Sequence, residues 1–376
     1  MYDQIRVDIL FLMFYAVVAA MAMIASCYLL LRRGNAFAPD ITPPLRLRRW
    51  TAAFFATIIL NHLWYMPIFF LTSNEDIRLC DLVGGLLDCM TFFPLAIVVL
   101  LTMLQDRRRP LWPVAVMMAP IVAGGVFSVG TRSYALLPIV YVYFLLICMG
   151  LIIYMVRALR QYGRWLRDNY ADLEHKEVWQ SFVVLASILL LFSCYALSNE
   201  GPVYQYGMQM MLAVLICYLL WRVETLSSLT PAPSSTGEGS ADPAPDELYT
   251  PLSSRRGVGG EALRAIGPLL KKYCEEPQLY LQYDLTLSQL AQIIGTNRFY
   301  LSQHFSNQGI TYNAYINGLR IQHFINLYRE AAATHQPVTA QLLARQSGFR
   351  SYNTFSVAFK RMTGMTATEW MRNTEE

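Results

Sequence analysis

The sequence predicts an all-α protein in two parts: a seven-helix transmembrane bundle, then a C-terminal domain of two helix-turn-helix motifs joined by a long helix. Three observations predict this fold class. The chain is 55% hydrophobic and 15% charged, with a mean hydropathy of +0.33, which exceeds the apolar content of an ordinary soluble protein. The long apolar runs are concentrated in residues 1–222, and residues 261–376 have the periodicity of short amphipathic helices.

Seven apolar stretches approach the roughly 20 residues that a helix needs to cross the hydrocarbon core of a bilayer. They cover approximately residues 7–31, 50–71, 82–104, 111–129, 134–156, 180–198 and 203–221. The first stretch lacks a basic leader and a small-residue cleavage site, so we interpret it as a retained helix and not a signal peptide. The lipid bilayer is therefore an expected partner of residues 1–222.

The loop charges predict the orientation of these helices. Alternate loops carry 13 Arg and Lys residues, against three in the loops of the opposite side and the N-terminus. The basic residues of the first set are Arg32, Arg33, Arg46, Arg48, Arg49, Arg107, Arg108, Arg109, Arg157, Arg160, Arg164, Arg167 and Lys176. Those of the opposite side are Arg6, Arg78 and Arg132. Because positive loops stay in the cytoplasm, the N-terminus is predicted outside and everything after Trp221 inside.

Three polar residues at membrane depth form a predicted intramembrane polar site: Asn61, His62 and Asp88. Such residues are costly in a bilayer and therefore informative. Three interpretations stay open: polar contacts between helices, a pocket for a small-molecule signal, and an ion or proton path. The seven cysteines form no CxxC pair or Cys/His cluster, so we expect no metal site and no cofactor. No catalytic motif is present, and we expect no enzyme activity.

The loop after the fifth stretch carries arginines at 157, 160, 164 and 167, a spacing that places them on one helical face. We expect the fifth helix to continue into the cytoplasm. Its basic stripe is either a solvated face near the lipid or a lever that contacts the C-terminal domain.

Residues 223–260 are rich in Pro, Ser, Gly, Ala and Thr and lack apolar periodicity. This composition predicts a disordered cytoplasmic linker. A flexible coil of this length spans roughly 30–35 Å. It transmits a rigid movement poorly, so a change in oligomeric state, such as homodimer formation, is the expected route for a signal.

The first helix-turn-helix pattern begins at Leu287. A helix over 287–294 is followed by a turn at Gly295, and Asn297 is a suitable N-cap for a second helix over 298–307. The predicted buried residues are Leu290, Ala291, Ile294, Leu301 and Phe305.

The second pattern has a helix over 340–345, a turn at Ser347 and Gly348, and a helix over 352–362 capped by Ser351. Its predicted core is Leu343, Ala344, Phe349, Phe355 and Phe359. One long helix over 312–333 separates the motifs. A helix of that length covers about 30 Å, close to the spacing of roughly 34 Å between successive major grooves on one face of DNA.

These residues resemble the AraC/XylS family of bacterial transcription regulators. The resemblance rests on Leu290-Ala291, Asn297–Phe305, Gly309, Tyr315, Leu319-Arg320-Ile321 and Ala344–Gly364. It covers about a quarter to a third of the chain, and the whole chain is similar to the subgroup in which this domain follows a multi-helix membrane region. The resemblance implies double-stranded DNA as the partner of residues 261–376 and the bacterial inner membrane as the location.

By position, the resemblance makes Phe299, Ser302 and Gln303 the first base-facing set, and Tyr352, Asn353, Ser356 and Val357 the second. Gln and Asn can pair with adenine, and Phe or Val can meet a thymine methyl group. Arg298, Lys360 and Arg361 are expected to contact phosphates. The chain departs from the family pattern at Ala367, where proline is usual, and at Phe324, where a small residue is common.

Three functional hypotheses follow. The first is a membrane-bound transcription regulator whose membrane half senses a small molecule or a membrane protein. In the second, the membrane half is a passive anchor. In the third, a transporter-like membrane domain is fused to a regulator. The sequence argues against the third, because it shows no internal repeats and no matched broken helices.

Overall fold

The computed structural model describes residues 8–32, 34–39, 41–133, 135–184, 186, 202–229, 259–334 and 336–375. The chain divides into two compact units. Unit 1 comprises Met1–Tyr162 and His175–Pro233, and unit 2 comprises Gly163–Glu174 and Ser234–Glu376. The described residues contain helices and no β-strand, apart from an isolated bridge between Tyr170 and Thr286. The predicted all-α fold class is confirmed.

Long apolar helices form unit 1. They are α1 (Ile9–Leu31), α2 (Leu45–Tyr65), α3 (Asn74–Met90), α4 (Phe92–Met103), α5 (Trp112–Thr131), α6 (Leu137–Asn169), whose last residues belong to unit 2, and α7 (Pro202–Thr225). Six helical stretches of the described chain are long and apolar enough to cross a membrane. The predicted crossing at 180–198 lies mostly outside the described residues.

Contacts at both ends show that α1 and α7 run parallel. At their first turns, Tyr206 donates to Asp8 over 2.9 Å, and at their last turns Tyr28 donates to Glu224 over 3.2 Å. The helix α2 runs antiparallel to α1, and Ser26 of α1 donates to the carbonyl oxygen of Ala52 over 2.9 Å. Parallel first and last helices are compatible with an odd number of crossings.

The sequence predicted the third apolar stretch as one continuous helix, but the structure divides it into two. It is interrupted at Thr91, whose backbone angles of −125° and −63° separate α3 from α4. Pro94 lies in the first turn of α4, where its missing N–H costs no helical hydrogen bond. The interruption falls one turn after Asp88, so this polar residue lies near the end of α3.

A buried ion pair fixes the last turn of α7. Arg48 Nε lies 3.1 Å from Glu224 Oε1, and both side chains are almost fully buried. The helix therefore extends three residues beyond the predicted boundary at 222. The backbone of Leu229 is also held, since its N–H donates to Gln105 over 2.8 Å. The remaining linker, 230–258, lies outside the described residues, and its predicted disorder stays a prediction.

Unit 2 consists of short helices around one long one. They are α8 (Gly259–Leu270), α9 (Leu287–Ile293), α10 (Arg298–Asn307), α11 (Tyr312–Ala333), α12 (Ala340–Gln346), α13 (Tyr352–Thr363) and α14 (Ala367–Glu375). The two predicted helix pairs and the long helix between them are confirmed, with bounds that differ by at most one residue. The sequence analysis did not anticipate α8 and α14, because neither belongs to a helix-turn-helix motif.

The helix α11 contributes to two hydrophobic cores. Its first half supplies Tyr312 and Ile316 to a core with α8, α9 and α10. Its second half supplies Phe324 and Tyr328 to a core with α12, α13 and α14. All ten residues predicted as the cores of the two motifs are buried. Because one rigid helix enters both cores, it links the two motifs mechanically.

Both departures from the family pattern concern packing. Ala367 is the first residue of α14, a position where proline is also well accommodated, and it is 1% exposed. Phe324 is fully buried, with its ring centroid 4.6 Å from that of Phe355. Phe324 therefore fills the second core and does not alter the exposed surface.

Candidate DNA-binding surface and intramembrane polar groups

Local sequence fixes the turn of the first motif. Gly295 has a φ of +73°, which favours glycine, and Thr296 N–H donates to the carbonyl oxygen of Ala291 over 2.9 Å. Asn297 then caps α10, since its side chain accepts the N–H of Tyr300 over 3.0 Å. The N-cap predicted from the sequence is thus confirmed, and it sets where α10 begins.

The helix α10 exposes part of the first predicted base-facing set. Phe299 is 69% exposed, an unusual degree for an aromatic ring, and Gln303 is also exposed. Ser302 is half-buried. Ser302 and Gln303 follow Phe299 by three and four residues, so the three side chains share one face of α10. The opposite face buries Leu301 and Phe305 in the first core.

The second motif repeats this construction. Ser351 caps α13 by accepting the N–H of Thr354 over 3.3 Å, as predicted. Asn353 and Val357 are exposed, and the exposure of Val357 reaches 71%. Tyr352 and Ser356 are half-buried. An exposed apolar side chain beside an exposed amide suits a groove that offers both a methyl group and hydrogen-bonding edges.

The three predicted phosphate ligands differ in their surroundings. Lys360 and Arg361 are exposed near the end of α13. Arg298 is half-buried at the start of α10, and its Nε donates to Asn169 Oδ1 over 2.8 Å. Burial lowers the pKa of Arg298, while nearby Tyr170 and Asp168 raise it. The sequence analysis did not identify Asn169 as a partner, because it precedes Arg298 by 129 residues.

A fully buried arginine joins α11 to the segment before the first motif. Arg320 is 1% exposed, and its guanidinium donates to the carbonyl oxygens of Tyr280 over 2.7 Å and Gln282 over 2.8 Å. It also lies over the ring of Phe349, 5.6 Å from the centroid. Burial lowers the pKa of Arg320, and the carboxylate of Asp172 opposes this shift most strongly. Arg320 is a structural residue here, although the sequence analysis used it only as part of a motif.

The polar residues of unit 1 that were predicted to lie at membrane depth fall into two groups. In the first, Asn61 Nδ2 donates to both carboxylate oxygens of Asp88, over 2.9 and 3.0 Å. The hydroxyl of Tyr65 donates to the same carboxylate over 3.1 Å. Three hydrogen bonds from two side chains of α2 therefore hold Asp88 of α3. Tyr65 was not anticipated, although it lies one helical turn after Asn61 and so on the same face.

His62 belongs to the second group. Its Nδ1 lies 2.8 Å from the carbonyl oxygen of Ile58, and its Nε2 lies 3.0 Å from Gln209 of α7. The ring of Tyr15 packs against the imidazole in a tilted arrangement, with a centroid distance of 4.3 Å. The atoms that face the two ring nitrogens, the carbonyl oxygen of Ile58 and Oε1 of Gln209, are both acceptors. His62 is 3% exposed, and its described partners do not include Asp88. The sequence-based pairing of His62 with Asp88 in one site is replaced by two separate groups.

The contacts of these groups are typical of polar packing between helices. Each of Asn61, His62 and Asp88 has hydrogen-bond partners within unit 1. Among the described residues, no group of three His, Cys, Asp or Glu side chains is placed to hold a metal ion.

Comparison with known proteins identifies the domain at the C-terminus. A family described as "Helix-turn-helix domain" matches residues 290–373. The chain is 39% identical over 71 residues to the HTH-type transcriptional activator RhaR of Salmonella heidelberg (strain SL476), which is 19% of this chain and 23% of that protein. It is 28% identical over 102 residues to an uncharacterized HTH-type transcriptional regulator of Staphylococcus aureus (strain COL), 27% of this chain and 13% of that protein.

These relatives limit what the similarity covers. The chain spans less than a quarter of the length of each of them, and the family match falls in the part that contains the two motifs. No solved structure was found to match the chain. The matched residues, 290–373, begin within α9 and end within α14. Residues 290–373 of this chain are therefore similar to a helix-turn-helix domain.

Proposed function

We propose that this protein is a membrane-bound, sequence-specific DNA-binding transcription regulator. The observation that carries the proposal is the exposed face of α13, where Asn353 and Val357 project from a helix that is capped and anchored as a recognition helix. The matching faces of α10 and α13 are connected by α11. Its 22 residues extend about 33 Å, close to one turn of B-DNA.

The residue roles follow from exposure and position. Phe299, Gln303, Asn353 and Val357 are sufficiently exposed to reach base edges. Ser302, Tyr352 and Ser356 lie at the edge of the same faces. Lys360 and Arg361 supply phosphate contacts, which position the protein without reading the sequence. Unit 2 has 11 basic and eight acidic residues after residue 260, a modest positive balance that agrees with a DNA partner.

The membrane location is supported by the six apolar helical stretches of the described chain, and the orientation by the 13 basic residues predicted on the cytoplasmic side. In this proposal the N-terminus is outside the bacterial inner membrane and unit 2 is cytoplasmic, where it has access to DNA. The parallel arrangement of α1 and α7 agrees with an odd number of crossings.

Sensing of a signal by unit 1 and homodimer formation are further parts of the proposal, with a passive anchor as the alternative. The partnered side chains of Asn61, His62 and Asp88 favour structural contacts over an open ligand pocket. The break between α3 and α4 interrupts one apolar helix of the described chain. Transporters built from repeats typically have broken helices at corresponding positions of the two repeats, and the sequence shows no internal repeat, so this hypothesis remains the weakest.

The DNA specificity can be tested with the full-length protein in detergent micelles. Duplexes are selected from a random-sequence pool and the bound fraction is sequenced. We expect an enriched site made of two half-sites whose centres are about 10 base pairs apart, one for each recognition helix. Absence of any enriched sequence, or a single half-site insensitive to changes one turn away, would contradict the proposal.

A further inference from the structure

A segment distant in sequence from the helix-turn-helix motifs is built into unit 2. Gly163–Glu174, here called the docking segment, comprises the last turns of α6 and the loop after it. The sequence analysis left open whether the basic end of α6 is merely solvated or contacts the C-terminal domain. The docking segment belongs to the same compact unit as that domain, which favours the second interpretation.

Backbone contacts anchor the middle of the docking segment. The N–H of Ala171 donates to the carbonyl oxygen of Leu285 over 3.3 Å, beside the bridge from Tyr170 to Thr286. From α11, Asn313 Nδ2 donates to the carbonyl oxygens of Tyr170 over 3.2 Å and Ala171 over 2.6 Å. Ala171 is fully buried in the first core. These contacts define a specific binding site for the segment.

Residues on either side of this anchor lie against the recognition helices. Asn169 Oδ1 accepts from Arg298 at the first turn of α10, and Asp168 lies near this guanidinium and beside Ser302. Glu174 Oε2 lies 3.4 Å from the hydroxyl of Thr354 in the first turn of α13. Carboxylates of the segment thus lie next to the N-terminal turns of both recognition helices.

These positions matter because DNA phosphates seek the same groups. The N-terminal turn of a helix attracts anions, and phosphate contacts commonly come from Arg side chains and hydroxyl groups there. While the segment is docked, Arg298 is already hydrogen-bonded and the nearby carboxylates repel the DNA backbone. The contacts of Ala171 with Leu285 and Asn313 involve neither Arg298 nor Thr354, so the polar contacts with these two residues are additional to those that anchor the segment.

We propose that the docking segment is an internal competitor of DNA: docked, it occupies Arg298 and places negative charge at both recognition helices; released, it leaves them free to bind phosphates. This inference rests on the proposed function, since it assumes that α10 and α13 bind DNA. Because the segment continues α6, a change in that apolar helix reaches it through the chain itself, without requiring the 223–260 linker to transmit a movement.

The inference can be tested by neutralising the two carboxylates of the segment that lie near the recognition helices, in the full-length protein. The variant Asp168→Asn/Glu174→Gln removes two negative charges. The matched control Glu276→Gln/Glu330→Gln removes two charges from exposed positions of unit 2. Binding of a fluorescent duplex of two or more helical turns is measured in detergent micelles at several salt concentrations. If the docked state makes up about nine-tenths of the population, release tightens the apparent affinity about tenfold.

We expect the segment variant to bind about tenfold more tightly and the control pair to bind nearly as the wild type does. The salt dependence of the variant should steepen by about one phosphate contact as Arg298 becomes available. Arg298→Ala should therefore weaken binding more in the segment variant than in the wild type. Asn313→Ala loosens the segment from α11 and should shift the affinity in the same direction, which provides a second route if the first variant folds poorly.

Equal affinity of the wild type and both loosened variants would overturn the inference, as would weaker binding by the variants, because the segment would then support the domain. If the control pair bound DNA as tightly as the segment variant, the gain in affinity would come from the lower net negative charge alone, and the inference would also be overturned. If no form of the protein binds DNA, the proposed function itself fails.

Discussion

Individual capping and turn residues of unit 2 follow rules that operate within a few positions of the chain. Asn297 and Ser351 cap α10 and α13 as predicted, because an N-cap is recognised from its side chain and the residues just after it. The surroundings of Arg298 could not be predicted in the same way. Its partner Asn169 is distant in sequence, and no local pattern connects the two residues. Local chemistry was thus predictable, and long-range pairing was not.

Asn353 tests whether α13 reads bases. If its amide contacts a base edge, Asn353→Ala should cost about 1–3 kcal/mol of binding free energy at the selected site and much less on unrelated DNA. The comparison is Lys360→Ala, which removes a phosphate contact and should weaken binding to all duplexes similarly. Titration of both variants against matched and scrambled duplexes distinguishes the two roles. If Asn353→Ala weakened binding equally on matched and scrambled duplexes, Asn353 would contact the DNA backbone and not the bases.

Gly348 and Gly295 occupy equivalent turns of the two motifs but differ in the room available for a side chain. Both have positive φ, at +85° and +73°. A Cβ on Gly348 would lie 2.7 Å from the Cα of Leu281, whereas one on Gly295 would meet open space. Gly295→Ala should cost about 1–2 kcal/mol of unfolding free energy from backbone strain alone. Gly348→Ala should cost about 1–3 kcal/mol more, because it also displaces the backbone around Leu281.

Thermal unfolding of the two glycine variants, followed by the signal of unit 2, measures this difference. Equal destabilisation would show that the backbone at Leu281 yields without cost, and that the second turn is less closely packed than the structure indicates.

At the scale of elements, the sequence pattern predicted the bounds of single helices but not the position of a break within an apolar stretch. The long helix α11 was predicted with its observed bounds, Tyr312–Ala333. The third apolar stretch was predicted as continuous, although it breaks at Thr91 between α3 and α4. Uniformly apolar residues carry no periodic signal, so such a break cannot be located from hydropathy. The helices α8 and α14 were missed because neither belongs to a helix-turn-helix motif, although both are amphipathic in sequence.

Arg320 tests how α11 is held to the segment before the first motif. Arg320→Lys keeps the charge but cannot form the fork that serves Tyr280 and Gln282, so buried carbonyl oxygens lose their donors. We expect a loss of about 1–3 kcal/mol of unfolding free energy. Arg329→Lys, at an exposed position of the same helix, is the control and should be nearly neutral. Chemical denaturation that shows equal stability for both variants would refute the structural role.

At the scale of the whole molecule, the division into an apolar part and a helix-turn-helix part followed from composition and motif spacing. What composition could not predict is that Gly163–Glu174, which interrupts unit 1 in sequence, belongs to unit 2. Similarly, the predicted intramembrane site became two groups, because adjacent residues 61 and 62 point to different neighbours on α3 and α7. Which helices are neighbours depends on the packing of the bundle, and hydropathy does not encode it.

The proposed orientation predicts the behaviour of reporter fusions. A reporter joined after Trp221 should be active only if it functions in the cytoplasm, and one inserted at residues 72–73, between α2 and α3, only if it functions after export. A further fusion near Arg108 should behave like the one after Trp221. The reverse pattern would place unit 2 on the side without DNA and would contradict the proposed function.

The measurement that tests the central claim most directly asks whether the protein binds DNA while it resides in a bilayer. The full-length chain is reconstituted into phosphatidylcholine vesicles, mixed with a fluorescent duplex that carries the selected site, and floated through a density gradient. We predict that the duplex floats with the protein-containing vesicles, that empty vesicles leave it at the bottom, and that Asn353→Ala reduces the floating fraction. Protein that does not float, or vesicles that carry the protein to the top without the duplex, would contradict the account.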